Sequence, residues 1–224
     1  MKIQNHFEMP LVAALLAVIS GSTDAYTYIE HGGVFAGLQT GNIILMSINL
    51  SRFNFIYVLR SCFSILIFAI GVIIIKIIQR RSLSATNRKK LVIKYELILL
   101  IIAGITAPWV PDLVTIGILD LSAAAHLQEF KLMRGRAFNP LMMTGNLSKV
   151  SNNLYLTIFD HDQDAKRILV DTIIIISSFI CGAIIMGITT SFTDEFAILI
   201  TAIPLILILF IVQWTQDNDR QNNN

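Results

Sequence analysis

The sequence predicts an all-α integral membrane protein: about six transmembrane helices plus two short Thr-Gly-Asn-bearing re-entrant or broken helices, built as two internal repeats. Of the 224 residues, 54% are hydrophobic and 14% are charged, whereas soluble domains average about 25% charged residues. The mean hydropathy of +0.68 agrees with this assignment. Six stretches reach the length of about 20 mostly apolar residues that a spanning helix needs, namely 11–29, 56–78, 91–110, 113–130, 168–188 and 196–214.

One segment that occurs twice indicates the internal repeat. When the chain is shifted by 104 residues, 34–50 falls on 138–154, and six of these 17 pairs are identical. Roughly one identical pair is expected by chance in such a window. The shared residues include Thr-Gly-Asn at 40–42 and at 144–146. Small and polar residues inside apolar sequence indicate interrupted helices, so each segment is either a full span or a re-entrant half-helix.

Basic residues indicate the orientation, because Lys and Arg accumulate in cytoplasmic loops. Seven of the 17 lie between Lys76 and Lys94, and 80–94 is predicted to be a basic cytoplasmic loop. With six spans, 15 of the 17 basic residues lie on the cytoplasmic side, whereas eight full spans leave only 10 there. The charges favour six spans. Six spans invert one repeat relative to the other, whereas eight would make the repeats parallel.

The predicted organisation follows the chain from a polar N-terminus to a polar tail. The segments are a polar N-terminus at 1–10, the first repeat core at 11–79, the basic loop at 80–94, a connecting span at 95–112, the second repeat with the last span at 113–214, and a polar tail at 215–224. We expect the tail to be disordered because it has almost no apolar side chains to bury.

Asp24 is the strongest candidate for a functional residue. Ser20, Asp24, Thr27, Tyr28 and His31 recur at helical spacing and form one polar stripe on the first predicted span. A carboxylate at membrane depth is costly, so it should face the interior of the bundle and find a partner there. The pattern predicts either a proton or substrate site, or a hydrogen-bonding hub between helices.

A second polar cluster ends the fourth predicted span. Gln128 falls on Asp24 when the chain is shifted by 104 residues, and His126 and Glu129 share a helix face at i,i+3 spacing. Histidine titrates near neutral pH, so a His126–Glu129 pair could relay protons. The alternative is an interfacial salt bridge that involves nearby Lys131.

The repeated Thr-Gly-Asn segments have two interpretations. Threonine or asparagine can cap a helix, glycine permits unusual backbone angles, and a half-helix that begins there would direct its free N–H groups at an anionic group. Alternatively, glycine lets helices pack closely while the polar side chains hydrogen-bond across the interface. The predicted substrate-binding residues are Asp24, Thr40, Gly41, Asn42, His126, Gln128, Thr144, Gly145 and Asn146.

No catalytic, cofactor or metal site is predicted. The sequence lacks a phosphate-binding loop, a nucleophile elbow and zinc-ligand spacing, so the protein is not expected to be an enzyme. It also lacks an aromatic-and-basic nucleic-acid module. Cys62 and Cys181 lie in apolar runs and are expected to be buried free thiols. The acids at 160–164 resemble a calcium loop, but Ala165 stands where glycine is required, so an acidic helix cap is predicted instead.

Several of these motifs resemble the YoaK-like family of bacterial membrane proteins, which carry one domain of unknown function. The motifs that carry the resemblance are Gly21-Ser22-Thr23-Asp24-Ala25, Gly32-Gly33-Val34-Phe35, Thr40-Gly41-Asn42, His126-Leu127-Gln128 and Thr144-Gly145-Asn146-Leu147. The likeness covers about 10–214. The second half departs from the family where a Gly-Leu-Gln-Asn run is usual and His126 and Glu129 stand. The resemblance implies a multi-pass protein of the bacterial inner membrane and implies no substrate, catalytic residue or cofactor.

The leading functional prediction is a small secondary transporter or permease, with proton coupling through Asp24. Its site would lie between the repeats, where Asp24 binds a proton or cation and the half-helices hold an anionic or polar group. The expected partners are the lipid bilayer and a small-molecule solute. The alternative is a non-transporting membrane scaffold or sensor whose partner docks on the basic loop at 80–94.

Overall fold

The computed structural model describes residues 6–81 and 84–222, and these form eight α-helices. A two-stranded antiparallel hairpin, β1 (Leu132–Met133) and β2 (Arg136–Ala137), connects the fifth helix to the sixth. Short 3-10 segments lie at His6–Glu8, Ala107–Trp109 and Asp194–Thr201. The helices are α1 (Pro10–Glu30), α2 (Gln39–Ser51), α3 (Phe55–Gln79), α4 (Ala85–Thr106), α5 (Asp112–Glu129), α6 (Met143–Phe159), α7 (Gln163–Thr193) and α8 (Ala202–Asn222).

Four helical stretches are long and apolar enough to cross a membrane. They are Pro10–Glu30, Phe55–Gln79, Ala85–Trp109 and Gln163–Asp219, and the last contains both α7 and α8. The outer surface of the bundle is strongly apolar: Leu66, for example, is 63% exposed. An exposed apolar surface of this extent needs lipid to cover it. The protein is therefore a helical membrane protein.

The two helices that carry Thr-Gly-Asn are shorter than most of the other helices. α2 has 13 residues and α6 has 17. At 1.5 Å per residue they are about 20 Å and about 25 Å long, against a hydrocarbon core of about 30 Å. Neither is among the four stretches that are long and apolar enough to cross a membrane.

The helices of the two halves pack in matching pairs. α1 packs chiefly on α7, and α5 packs chiefly on α3. α2 lies on α3 as α6 lies on α7, and α4 contacts α5 as α8 contacts α1. These helix pairs correspond to one another when the chain is shifted by 104 residues.

Two glycines allow α1 and α7 to cross at unusually close range. Gly21 lies directly against the carbonyl of Phe179, and Gly182 lies directly against the carbonyl of Val18, with no room for a side chain at either glycine. The hydroxyl of Ser22 donates to the Gly182 carbonyl oxygen at 2.9 Å. Small residues that bring two backbones together are a typical packing device of membrane helices.

The two ends of the bundle differ in their charges. At the end that we call the basic end, Lys89 Nζ lies 3.7 Å from Glu8 Oε1, and Arg88 Nε donates to Glu129 Oε1 at 2.9 Å. These pairs bring together the beginnings of α1 and α4 and the end of α5. At the opposite end, the Asp112 carboxylate accepts from Arg60 at 2.6 Å, which joins the beginnings of α3 and α5.

Two predicted segment boundaries are corrected by the structure. α4 begins at Ala85, where Ser84 Oγ accepts from Asn87 N at 3.3 Å, so 85–94 is helical rather than loop. The polar tail is helical through Asn222, because Lys90 donates to the side chains of Gln213 and Gln216 and anchors this part of α8. Of the predicted polar N-terminus, residues 1–5 lie outside the described residues.

Candidate functional site

The loop between α1 and α2 turns back into the bundle. It reverses direction at Gly32 and Gly33, whose φ angles of 76° and 80° suit glycine. The chain then runs back along α1: Ala36 N donates to Thr27 Oγ1 at 3.2 Å, and Gly37 N donates to Asp24 Oδ1 at 2.6 Å. Asp24 lies six residues before the end of α1, which is about 9 Å along the helix. α2 therefore begins inside the bundle rather than at its end.

Asp24 is buried, with 5% of its surface exposed, and its carboxylate accepts an N–H group just before α2. The first N–H groups of a helix lack helical partners and attract negative charge. The predicted anionic group at this helix start is thus present in the structure, and it is a side chain of the protein itself.

Asn42 fixes the shape of the re-entering loop. Its Oδ1 accepts from Phe35 N at 2.9 Å, and its Nδ2 donates to Phe35 O at 2.6 Å. The same Nδ2 lies 3.0 Å from Ser64 Oγ, and that hydroxyl donates to Asp120 Oδ1 at 2.9 Å. The three polar side chains of this network, Asn42, Ser64 and Asp120, are buried, so the network ties α2 to α3 and α5.

The second half has a similar arrangement, but a different residue accepts from the N–H groups that precede the short helix. Asn146 Nδ2 donates to Asn139 O at 2.9 Å, seven residues earlier, as Asn42 does to Phe35. The N–H groups of Leu141 and Met142 precede α6, and both donate to Asn139 Oδ1. Asn139 therefore has the role at α6 that Asp24 has at α2. No sequence feature singled out Asn139, since its acceptor lies within its own loop.

Gln128 does not join this site. It is the counterpart of Asp24 under the 104-residue shift, but its Oε1 accepts from Lys131 Nζ at 2.6 Å. Gln79 Nε2 also donates to its backbone carbonyl at 3.0 Å, at the basic end of the bundle. The structure therefore does not bring Gln128 to the cavity beside Asp24, because its side chain is paired with Lys131 toward the end of α5.

The starts of the two short helices meet. Leu141 lies directly against Gly37, and no side chain would fit at residue 37. A cavity of about 10 Å³ at this point is lined by both residues together with Asp24 and His126. That volume holds about one water molecule. The structure therefore brings together two of the predicted site residues, one from each half of the chain.

His126 pairs with a residue that the sequence analysis did not select. Its Nδ1 lies 2.8 Å from Glu96 Oε2, and both side chains are almost completely buried. Glu129 instead accepts from Arg88 of α4, because it lies nearer the basic end than His126. The expected His126–Glu129 and Glu129–Lys131 pairs are both absent among the described residues. Glu96 could have been found as a carboxylate inside the predicted connecting span.

Threonine and glycine of the repeated motif have no contact with the site. Thr40 and Thr144 are exposed, and the N-cap residues of α2 and α6 are Leu38 and Met142, neither of which caps through its side chain. The predicted capping role is therefore wrong, since each helix begins one residue before its threonine. Gly41 lies against the ring of Phe35, whereas Gly145 has open space around it; nothing in the structure explains glycine at 145.

A larger cavity, of about 260 Å³, lies between the hairpin, α6 and α7. Its polar lining consists of Arg136, Asn146, Lys149, Asn153, Asp171 and Thr172. At the corresponding place in the first half, Ser64 fills the space beside Asn42 and hydrogen-bonds to it. The two motif asparagines thus differ: one is enclosed in a hydrogen-bond network, and the other lines an open space.

A histidine and an arginine share Asp112 at the opposite end. His31 Nδ1 lies 3.4 Å from Asp112 Oδ1, while Arg60 Nη2 lies 2.6 Å from Oδ2. Burial lowers the pKa of His31, and the Asp112 carboxylate opposes that shift. Arg60 also lies against Gly32, where a side chain would collide with its guanidinium. This cluster fixes the turn that sends the chain back into the bundle.

The remaining site predictions have clear outcomes. Asp162 caps α7, because its Oδ1 accepts from Asp164 N and Ala165 N, as the acidic-cap prediction requires.

Both cysteines are free, but Cys62 is partly buried and Cys181 is exposed on the outer surface of α7, so the prediction of buried thiols is wrong for Cys181. Among the described residues, no three His, Cys, Asp or Glu side chains are grouped as a metal site.

Comparison with known proteins identifies the family and adds no activity. The family model described as "Protein of unknown function (DUF1275)" matches residues 12–211. No curated protein and no solved structure matches the chain. The match covers nearly all of α1 through α8 and agrees with the resemblance that the glycine and Thr-Gly-Asn motifs carry. The chain belongs to the DUF1275 family, which is the YoaK family of proteins of unknown function.

Proposed function

We propose that this protein is a small secondary transporter of the bacterial inner membrane, with six spans and two inverted repeats. Contacts at the two ends of the bundle support the six spans. α1, α4 and α7 each run from the basic end to the opposite end, and α3, α5 and α8 run back. In this topology the basic end is cytoplasmic, as the distribution of Lys and Arg requires.

The matched hydrogen bonds of the two halves support the repeats. Asn42 and Asn146 each bond to the backbone seven residues earlier, and both are four residues into their helices. α1 and α5 run in opposite directions in the six-span topology, so the repeats are inverted. Inverted repeats with discontinuous helices at the middle of the bilayer are a common transporter plan.

The observation that carries the proposal is the contact between Gly37 and Leu141. Two re-entrant helices start at this one place, beside a cavity that Asp24 and His126 line together. Half-helices that meet inside a membrane provide backbone polar groups and a movable closure where a solute crosses. The cavity holds about one water molecule, which fits a closed state of the path.

Three buried groups supply a route for proton coupling. Asp24 and His126 line the central cavity, and His126 contacts Glu96 across the helix interface. In the described part of the chain, neither His126 Nε2 nor Glu96 Oε1 has a hydrogen-bond partner. A water molecule in the cavity would connect Asp24 with His126. We assign Asp24 as the group that takes up and releases the coupled proton.

The alternative, a scaffold whose partner docks on the basic segment at 80–94, has less support. Arg88 and Lys89 of that segment already pair with Glu129 and Glu8 of the same chain. Lys90 donates to two glutamines of α8. These three cations stabilise the fold and are poorly available to a partner.

Proteoliposomes that enclose a pH-sensitive dye test the transporter proposal. Inorganic phosphate, succinate and glutamate would be added one at a time, and proton-coupled uptake of any of them acidifies the lumen. Asp24→Asn should abolish the acidification, because asparagine keeps an acceptor for Gly37 N but cannot carry the proton. Asp160→Asn, at an exposed acid outside the site, is the matched control and should behave as wild type. Absence of uptake with every probe, or wild-type acidification by Asp24→Asn, would overturn the proposal.

A further inference from the structure

We propose that the 260 Å³ cavity between the hairpin, α6 and α7 binds a small anion through Lys149, Arg136 and Asn146. This inference rests on the proposed function in that it names the chemical class of the solute. A carboxylate or a phosphate group has the chemistry that these side chains recognise. The volume is far larger than that of the central cavity, about 260 Å³ against about 10 Å³, and suits a compact solute.

The charge of the lining is the first support. Lys149 Nζ donates to the backbone carbonyl of Ala137 at 2.8 Å, and no carboxylate of the described residues lies within ion-pair distance of it. Asp171, the acid in the lining, is paired with Arg134 at 3.2 Å. Among the described residues, the ion pair of Arg136 is with the exposed Asp164, at 3.6 Å, and an exposed pair of that length contributes little. Lys149 is therefore a cation of the cavity wall without an acidic partner in the described part of the chain.

The position of Lys149 makes this charge significant. It lies on α6, one turn after Asn146, and its side chain is partly buried. A partly buried cation is costly unless a partner compensates it. At the corresponding position of the first half stands Leu45, and there the space beside the motif asparagine is filled by Ser64. The second half therefore has a lysine and a cavity where the first half has a leucine and a filled space.

Asn146 adds a directional polar group. Only 4% of its surface is exposed, and its Nδ2 is committed to Asn139 O. Its Oδ1 accepts no hydrogen bond from any residue in the described ranges, whereas Oδ1 of Asn42 accepts from Phe35 N. Because Asn146 lines the cavity, this oxygen is available to a donor that is bound there. A hydroxyl or a protonated group on the bound anion, or a water molecule that accompanies it, would satisfy this oxygen.

The apolar part of the cavity sets the shape of the solute. Phe138, Ile168 and Ile175 line the side that faces the bundle interior, while the two cations lie on the hairpin and α6. An anionic head with a short apolar body fits this division. Anionic lipid head groups share the same chemistry, so the test must separate a free solute from a lipid.

Equilibrium binding to the full-length protein provides the test. Protein in phosphatidylcholine nanodiscs would be titrated with inorganic phosphate, succinate and, as a cation control, choline. We expect phosphate or succinate to bind and choline not to bind. Lys149→Gln should weaken binding about tenfold or more, a change of about 1.4 kcal/mol, and Lys149→Arg should restore it. Lys166→Gln, which removes an exposed lysine of α7 outside the lining, is the matched control and should bind as wild type.

A second arm uses nanodiscs that contain phosphatidylglycerol, with retained lipid counted by native mass spectrometry. Retention that Lys149→Gln abolishes would assign the cavity to a lipid head group, and phosphate or succinate binding in phosphatidylcholine would assign it to a free solute. The proposal is overturned if neither anion source binds, or if Lys149→Gln binds as wild type. Anion binding without any uptake into proteoliposomes would keep this site and remove the transporter. If Lys149→Gln leaves uptake unchanged, the transporter would stand and this site would be removed.

Discussion

Asn42 and Asn146 make the same hydrogen bond, in which each Nδ2 donates to the carbonyl seven residues earlier, at 2.6 Å to Phe35 and at 2.9 Å to Asn139. The bond joins the first turn of a short helix to the loop that delivers it into the bundle. At both positions the amide nitrogen supplies the donor of this bond.

The two asparagines should differ in their contribution to stability. Asn42→Ala leaves Phe35 N without its acceptor and removes the contacts of Nδ2 with Phe35 O and Ser64 Oγ. We expect the free energy of unfolding to fall by about 2–4 kcal/mol. Asn146→Ala loses one backbone bond and should cost about 1 kcal/mol. Unfolding in mixed detergent micelles would measure both values. Asn49→Ala, at a half-buried side chain with two local bonds, is the control, and equal losses for Asn42→Ala and Asn146→Ala would contradict this account.

The glycines at the α1–α7 crossing should tolerate no side chain. Gly21→Ala and Gly182→Ala each place a methyl group against a backbone carbonyl of the other helix, so we expect each to lower the free energy of unfolding by about 1–3 kcal/mol. Gly187→Ala lies on the same helix with nothing within 4 Å. Since alanine favours helix over glycine, it should be neutral or stabilising by up to about 1 kcal/mol. A loss at Gly187→Ala as large as that at Gly182→Ala would show that packing at the crossing is not the cause.

His126 and Glu96 should behave as one unit. Either Glu96→Ala or His126→Ala leaves the other group buried without its partner, and we expect each to cost about 3 kcal/mol. The double variant should cost less than the sum of the two single variants, with a coupling of about 1–3 kcal/mol in a double-mutant cycle of unfolding free energies. Additive losses would mean that the 2.8 Å contact contributes nothing specific.

The six-span topology makes a distinct prediction for the loop between α6 and α7. In a background without Cys62 and Cys181, Asp160→Cys and Thr86→Cys should be labelled from the cytoplasmic side by a membrane-impermeant thiol reagent. Val110→Cys should be labelled from the other side. Eight full spans would place residue 160 on the same side as residue 110. Labelling of Asp160→Cys from outside intact cells would therefore remove the six-span topology and the inverted repeats.

Hydropathy located the helices because a lipid environment requires long apolar runs with internal backbone hydrogen bonds. The 104-residue shift located both short helices, because their shared asparagines set the same local geometry. α5 shows a limit of hydropathy: it packs inside the bundle, yet its three acids, Asp112, Asp120 and Glu129, keep it outside the set of four apolar stretches. The end of α8 shows a second limit of hydropathy, since this polar segment is helical and its side chains are contacted by Lys90 of α4.

The partners of the buried polar residues were harder to predict. The sequence correctly placed Asp24 in the interior. Its role as the acceptor for Gly37 N depends on a loop that turns back into the bundle, and the helical spacing of residues does not predict the path of a loop. His126 was selected, yet its partner Glu96 lies 30 residues away on another helix. Local spacing favoured Glu129 at i,i+3, and the long-range contact with Arg88 prevented that pair.

The contact of Leu141 with Gly37 links the mobility of the two halves. The start of each short helix packs against the start of the other, so neither can move away without disturbing the other. A leak through both sides at once would require both helix starts to lose that support together, which the shared contact makes costly. In the proposed transporter, the starts of the two short helices would in this way act as an interlock.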